Sequence, residues 1–293
     1  MRTARLHSRR PFAVVALLVT AGVVLALLPL WPARASLTPA ILPLGDSITW
    51  GVGSNFVNTP GGYRGELGRE LGQAGIPFRY VGTSTDNPPL GADPNSYRHD
   101  GHPGFRIDQV ESDLSGPDRR PGTNGGRWMT GLPGRAPLQP DVVVVHIGTN
   151  DILQAFDPQR RFAGGYDGAN GAERAAFVGD MVERLHRLLG MLWRTAPRAR
   201  IVLCTIAPLG ITGEDPTVAA YDAAIRRLVA LGAAQNQALY LADVERAFME
   251  GQPTGDAGLM GSDGIHPTSA GYVVMAAAIA PAVEKAVTSP AQP

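Results

Sequence analysis

The stretch that decides the fold is Asp141-Val142-Val143-Val144-Val145-His146-Ile147-Gly148-Thr149-Asn150-Asp151. Four consecutive valines, with no polar residue between them, describe a strand that is apolar on both faces. A strand of that kind belongs to a parallel sheet covered by helices on both sides. It stops abruptly at Gly148, where the chain turns polar. Active sites in such sheets lie at the carboxyl ends of the strands, so residues 146–151 stand where chemistry is expected.

Outward from this strand, apolar runs alternate with helical stretches. Residues 41–45, 78–82, 201–206 and 238–242 read as further strands. Residues 63–74, 106–114, 172–195, 216–234 and 269–287 have helical composition. In the third of these, Val178, Val182, Leu185, Leu189 and Leu192 recur at three- and four-residue spacing. The alternation predicts an α/β domain with a five-stranded parallel sheet. Residues 115–140 and 154–171 are rich in Gly, Pro and Arg and are expected to form surface loops. Loops of that length are often functional.

The chain has 293 residues, 44% hydrophobic and 18% charged, which is a globular composition. Its first 35 residues hold five arginines and no acid: a basic start leads into an apolar run over 12–31 and then Ala33-Arg34-Ala35. This pattern predicts an export signal cleaved after Ala35, with no later apolar span. Ser8-Arg9-Arg10-Pro11-Phe12 resembles a twin-arginine signal, so Sec and twin-arginine export both stand. The expected mature domain is 36–288, with a short tail at 289–293. It would carry 21 basic against 26 acidic residues. Such a balance points neither to nucleic acid nor to an anionic membrane as partner. Cys204 is the sole cysteine, so no intramolecular disulfide can form. It sits in an apolar run and reads as a buried hydrophobe.

Four segments could do chemistry. Gly45-Asp46-Ser47 follows the first strand and puts a hydroxyl where a nucleophile belongs. Ser47 can also open a helix whose first N–H groups face a developing oxyanion. Two readings stand for Ser47, nucleophile and helix cap. Thr49 replaces the second glycine of Gly-x-Ser-x-Gly, so the nucleophile elbow of α/β-hydrolases is missing. Asp263-Gly264-Ile265-His266 puts a carboxylate within reach of an imidazole, before Pro267-Thr268 opens a helix. A serine needs such a base, and the base needs such a carboxylate. Asn150 could donate an amide proton to an oxyanion, while Asp151 reads as a helix cap and His146 as a buried, hydrogen-bonded histidine. In Gly101-His102-Pro103-Gly104, glycine allows close approach of a backbone N–H to a substrate.

Ser, Gly, Asn and Asp-x-x-His occur in that order across one α/β domain. Together they resemble the SGNH, or GDSL-type, hydrolase family over nearly all of residues 40–287. The resemblance implies a flavodoxin-like three-layer sandwich with five parallel strands. It implies Ser47 as nucleophile, His266 as base and Asp263 as its partner. It also implies an oxyanion hole from the Ser47 N–H, the Gly104 N–H and the Asn150 side chain. No metal or organic cofactor is called for. Residues 44–51, 101–108 and 146–151 look like carbohydrate esterase family three, whose members are secreted acetyl xylan esterases. Phe105 departs from that pattern, where many members carry Trp. The expectation is a secreted serine esterase that removes acetyl groups from a polysaccharide such as xylan. A short-chain lipid or general carboxylesterase, and a non-catalytic glycan-binding protein on the same scaffold, are the alternatives.

Overall fold

The computed structural model describes residues 38–117, 125–154, 171–210, 216–251 and 258–289. The expected signal at 1–35, nearly all of the 154–171 loop and the tail beyond Ser289 lie outside these residues.

Among the described residues six parallel strands form one sheet: β1 (Ala40–Gly45), β2 (Arg79–Tyr80), β3 (Asp100–Gly101), β4 (Val142–His146), β5 (Arg200–Cys204) and β6 (Leu239–Ala242). The main order is β2-β1-β4-β5-β6. The sixth strand, β3, is an addition to the five expected. It pairs with Leu44 and Gly45 of β1, on from the point where β2 has paired with Ala40 and Ile41. The chain thus lays β2 and β3 along one side of β1 and then crosses to place β4 on the other. Strand order reverses at β1/β4, and a crevice opens beyond the carboxyl ends of strands at such a point.

Side chains of successive strand residues alternate between the two faces. Leu42, Leu44, Val143, Val145, Ile201, Leu203 and Leu239 enter one core, against α3 (Ile107–Ser115), α5 (Gly171–Thr195) and α6 (Pro216–Ala234). Ile41, Val142, Val144, Val202, Cys204 and Ala242 enter the other, against α2 (Gly62–Gln73), α7 (Val244–Gly251) and α8 (Ser269–Thr288). This double burial is why the strands show no polar alternation. Each fully buried Val, Leu or Ile contributes about 1.5–3 kcal/mol. Cys204 is buried among them, and burial pushes its thiol pKa up.

Two expectations need correction. Helix α8 is long and apolar enough to cross a bilayer, with a mean hydropathy of 1.4, so a second apolar span does exist. Its apolarity serves the core: Tyr272, Met275, Ala276, Ile279 and Val283 pack on the sheet. The described part of the 115–140 loop is not purely surface. Trp128 and Met129 are buried in the first core, and their N–H groups donate to Asp113 O and Leu114 O. The Trp128 ring stacks on His102 at 4.5 Å between centroids. A long segment poor in apolar residues thereby anchors itself through one large side chain.

Candidate active site

Strand β1 ends at Gly45, where a Cβ would lie 2.1 Å from His146 O, so only glycine fits between the two strand ends. The next residue, Asp46, caps a four-residue helix, α1 (Ser47–Trp50), by accepting from the Ile48 N–H at 3.0 Å. The capping role therefore falls to Asp46 and leaves the Ser47 hydroxyl free for another partner. That partner is His266. Ser47 Oγ lies 3.0 Å from His266 Nε2, and His266 Nδ1 lies 3.0 Å from Asp263 Oδ2. A carboxylate at Nδ1 holds the proton there and leaves Nε2 as the acceptor for the serine hydroxyl.

Asp263 is itself fixed by the loop that carries it. Its Oδ1 accepts from the N–H groups of Ile265 and His266, at 2.9 and 3.0 Å. Burial raises its pKa, but these two N–H groups and the His266 ring outweigh it, and the net shift is downward. The carboxylate is therefore held ionised. Beyond it, Thr268 caps α8 by accepting from the Gly271 N–H. Ser47 is 7% exposed and His266 3%. Water thus has little access to the pair, which strengthens hydrogen bonds within it.

The crevice at the strand reversal brings Asn150 and Gly104 together. Asn150 lies in α4 (Thr149–Leu153), directly beyond β4. Its Nδ2 donates to Phe105 O at 3.0 Å, which orients the amide and leaves its second proton available. Gly104 has φ +79°, a conformation that favours glycine, and open space lies where a Cβ would be. Its carbonyl accepts from Gln154 Nε2 at 2.8 Å, which pins the peptide from α4's side. The His102 N–H donates to Gly45 O, tying this loop to the end of β1. Ser47 is the first residue of α1, so its N–H has no intrahelical acceptor.

Asp151 was expected to act as a helix cap; it satisfies the first N–H of α3 and not one of α4. Gly148 is the N-cap of α4. Asp151 Oδ2 instead accepts from the Ile107 N–H at the start of α3, and Oδ1 pairs with Arg184 of α5 at 3.0 Å. Burial raises its pKa to about 6 against the opposing pull of Arg184. It thus clamps the loop of Gly104 and Phe105 to the helix of Asn150. His146 is fully buried, its Nε2 accepts from the Ala207 N–H, and burial lowers its pKa to about 4.

Other residues escaped sequence reasoning. Arg64 is fully buried on α2, and burial lowers its pKa to about 10. Its guanidinium donates to the carbonyls of Thr49, Trp50, Asn87 and Tyr97. It thereby holds the end of α1 in place. Tyr272 of α8 donates to Ile48 O and Val52 O. Phe56 sets its ring edge against His266, 5.0 Å between centroids. Arg64 and Tyr272 leave no local signal, because their partners are backbone carbonyls distant in sequence. A cavity of about 630 Å³ beside β2, lined in part by Phe78, Tyr80, Tyr97 and Arg98, is not lined by Ser47, Gly104, Asn150, Asp263 or His266. Among the described residues no group of three or more His, Cys, Asp or Glu is arranged to hold a metal ion.

The chain is 30% identical over 270 residues to a multidomain esterase of Ruminococcus flavefaciens; the aligned part is 86% of this chain and 29% of that protein. The chain thus spans under a third of that relative's length. Its fold resembles the family 3 carbohydrate esterase of Clostridium thermocellum, with a TM-score of 0.57 at 22% identity, covering 86% of this chain and all of that one. A carbohydrate esterase family 3 protein from Talaromyces cellulolyticus gives the same TM-score and the same coverage at 20% identity. Identities this low speak for the fold alone. Residues 44–274 match the GDSL-like lipase/acylhydrolase family as a whole, and by that match the chain belongs to this family of ester hydrolases.

Proposed function

We propose that the protein is a secreted esterase that removes acetyl groups from polysaccharide, with Ser47 as nucleophile. The observation that supports this most is the hydrogen-bonded chain Asp263–His266–Ser47, with both links at 3.0 Å. As the Ser47 Oγ–carbonyl bond forms, the hydroxyl proton passes to His266 Nε2. Asp263 stabilises the resulting imidazolium. The tetrahedral oxyanion is held by the N–H groups of Ser47 and Gly104 and by the Asn150 amide. The carbon–oxygen bond to the alcohol then breaks, and His266 returns its proton to the departing oxygen. Water attacks the acyl-serine by the same route, releasing the acid and restoring Ser47.

The carbohydrate assignment draws on the motif blocks at 44–51, 101–108 and 146–151, and on the esterases named family 3 whose fold this chain shares. Export draws on the basic, then apolar, then Ala-x-Ala pattern of residues 1–35. The test compares acetyl, butyryl and octanoyl aryl esters with acetate release from acetylated xylan, using Ser47→Ala as the blank. Preference for acetyl together with acetate release is expected. Activity peaking at octanoyl, with no acetate released, would end the carbohydrate reading and favour a lipid esterase.

A further inference from the structure

We infer that Phe56 contacts the alcohol half of the ester and stacks on the apolar face of a sugar ring there. This rests on the carbohydrate reading above and extends it to one residue. His266 must deliver its proton to the departing oxygen, so the alcohol leaves beside the imidazole. In the oxyanion arrangement proposed above, the carbonyl oxygen faces the other way, toward Gly104 and Asn150. Whatever borders the imidazole from outside therefore borders the alcohol. Among the described residues Phe56 is such a group: its ring meets the imidazole edge to face, 5.0 Å between centroids and 68° between planes.

Phe56 is also 68% exposed. A phenyl group spent on core packing would be covered, whereas this one meets His266 and leaves most of its surface to solvent. The backbone enforces that placement. Asn55 and Phe56 both adopt positive φ, 54° and 58°, a conformation rare for any residue but glycine and an outlier for a bulky one. A tight hairpin holds them there. The Gly53 N–H donates to Val57 O, the Val57 N–H donates to Ser54 O, and Val52 bridges Asn58. The Asn87 amide donates to the carbonyls of Trp50, Gly51 and Thr59 at its base. Ser262 Oγ donates to Asn55 Oδ1, fastening the hairpin to the loop that carries Asp263 and His266. The structure thus fixes an aromatic face in solvent at the mouth of the site. Pyranose rings offer an apolar C–H face to such a surface, and aromatic side chains combine that contact with little entropy loss.

The experiment keeps the acyl group constant and varies the alcohol. Wild type, Phe56→Ala and Phe56→Tyr are assayed on methyl acetate, cyclohexyl acetate and a methyl xylopyranoside monoacetate. Phe56→Ala should raise KM for the xyloside roughly five- to tenfold, the size of one aromatic contact. The loss in kcat/KM on the xyloside should exceed that on methyl acetate by about fivefold or more, and Phe56→Tyr should restore the xyloside KM. Equal losses on all three esters would show that Phe56 acts through His266 and overturn the inference. An unchanged xyloside KM would overturn it too. If wild type does not prefer the xyloside to cyclohexyl acetate, and Phe56→Ala weakens both but spares methyl acetate, the carbohydrate reading fails. Phe56 would then remain the alcohol-side contact.

Discussion

Asn150→Ala separates catalysis from folding at a single position. The Asn150 amide gives one proton to Phe105 O at 3.0 Å and is 8% exposed. Its removal has two consequences of different size. The hydrogen bond from Asn150 to the Phe105 carbonyl is lost in a largely buried place, which costs about 1–3 kcal/mol of stability. For a domain of this length that lowers Tm by roughly 2–10 °C, and a stability of about 5–15 kcal/mol keeps the variant folded at room temperature. The second proton is the one assigned to the oxyanion. Its loss should cost about 10²–10³ in kcat, or roughly 2.7–4 kcal/mol in the transition state. KM should change little, because the ground-state carbonyl carries less charge than the tetrahedral oxygen. The assay is initial-rate hydrolysis of an aryl acetate at 25 °C, alongside a thermal melt and a far-UV spectrum. A fall in kcat below about tenfold with the fold retained would remove Asn150 from the oxyanion site. A large rise in KM at constant kcat would move it to ground-state binding.

Three further outcomes follow from the same geometry. Asp263→Asn should lower kcat by about 10⁴, since an amide cannot stabilise the imidazolium and can favour the wrong tautomer; a loss under tenfold would deny Asp263 that role. Arg64→Met should cost about 2–5 kcal/mol in urea unfolding, because the carbonyls of Thr49 and Tyr97 lose the Arg64 donor while those of Trp50 and Asn87 keep the Asn87 amide and the Gly61 N–H; a loss under about 1 kcal/mol would contradict it. Asp46 is buried, which raises its pKa from 3.8 to about 7 against the Ile48 N–H. Between those values the unfolded chain has released this proton and the native state has not, so this group's contribution to stability falls as pH rises. Asp46→Asn should therefore gain on wild type in urea midpoint between pH 4 and pH 8, and a constant difference would contradict the argument.

The parts of the fold readable from sequence are those whose signal is local and doubled by burial on two faces. Val142 to Val145 and Ile201 to Cys204 could hardly be anything but inner strands. Strand β3 was invisible, since Asp100-Gly101 is two residues long and owes its pairing to β1. Helix α7 was missed because eight residues hold only two buried side chains, Val244 and Phe248. Trp128 lay hidden in a Gly- and Pro-rich stretch, where composition suggested surface. At the site, the residues expected to react each sit in a short motif at a strand end or helix start. The residues that hold them do not. Asp151 was recognised as a structural helix cap, but nothing local shows that the helix it serves begins at Ile107 or that Arg184 is its other partner. Phe56 meets His266 only because a hairpin 210 residues upstream folds against the catalytic loop, and no local pattern records that contact.

The central claim is that Ser47 carries the acyl group. It is tested most directly by treating the protein with a serine-directed alkyl phosphonate and mapping the adduct by peptide mass spectrometry. The account predicts one adduct per chain, on the peptide bearing Gly45-Asp46-Ser47, formed in step with loss of esterase activity and absent from Ser47→Ala. Inactivation with the label on another serine, or labelling that persists in Ser47→Ala, would contradict it.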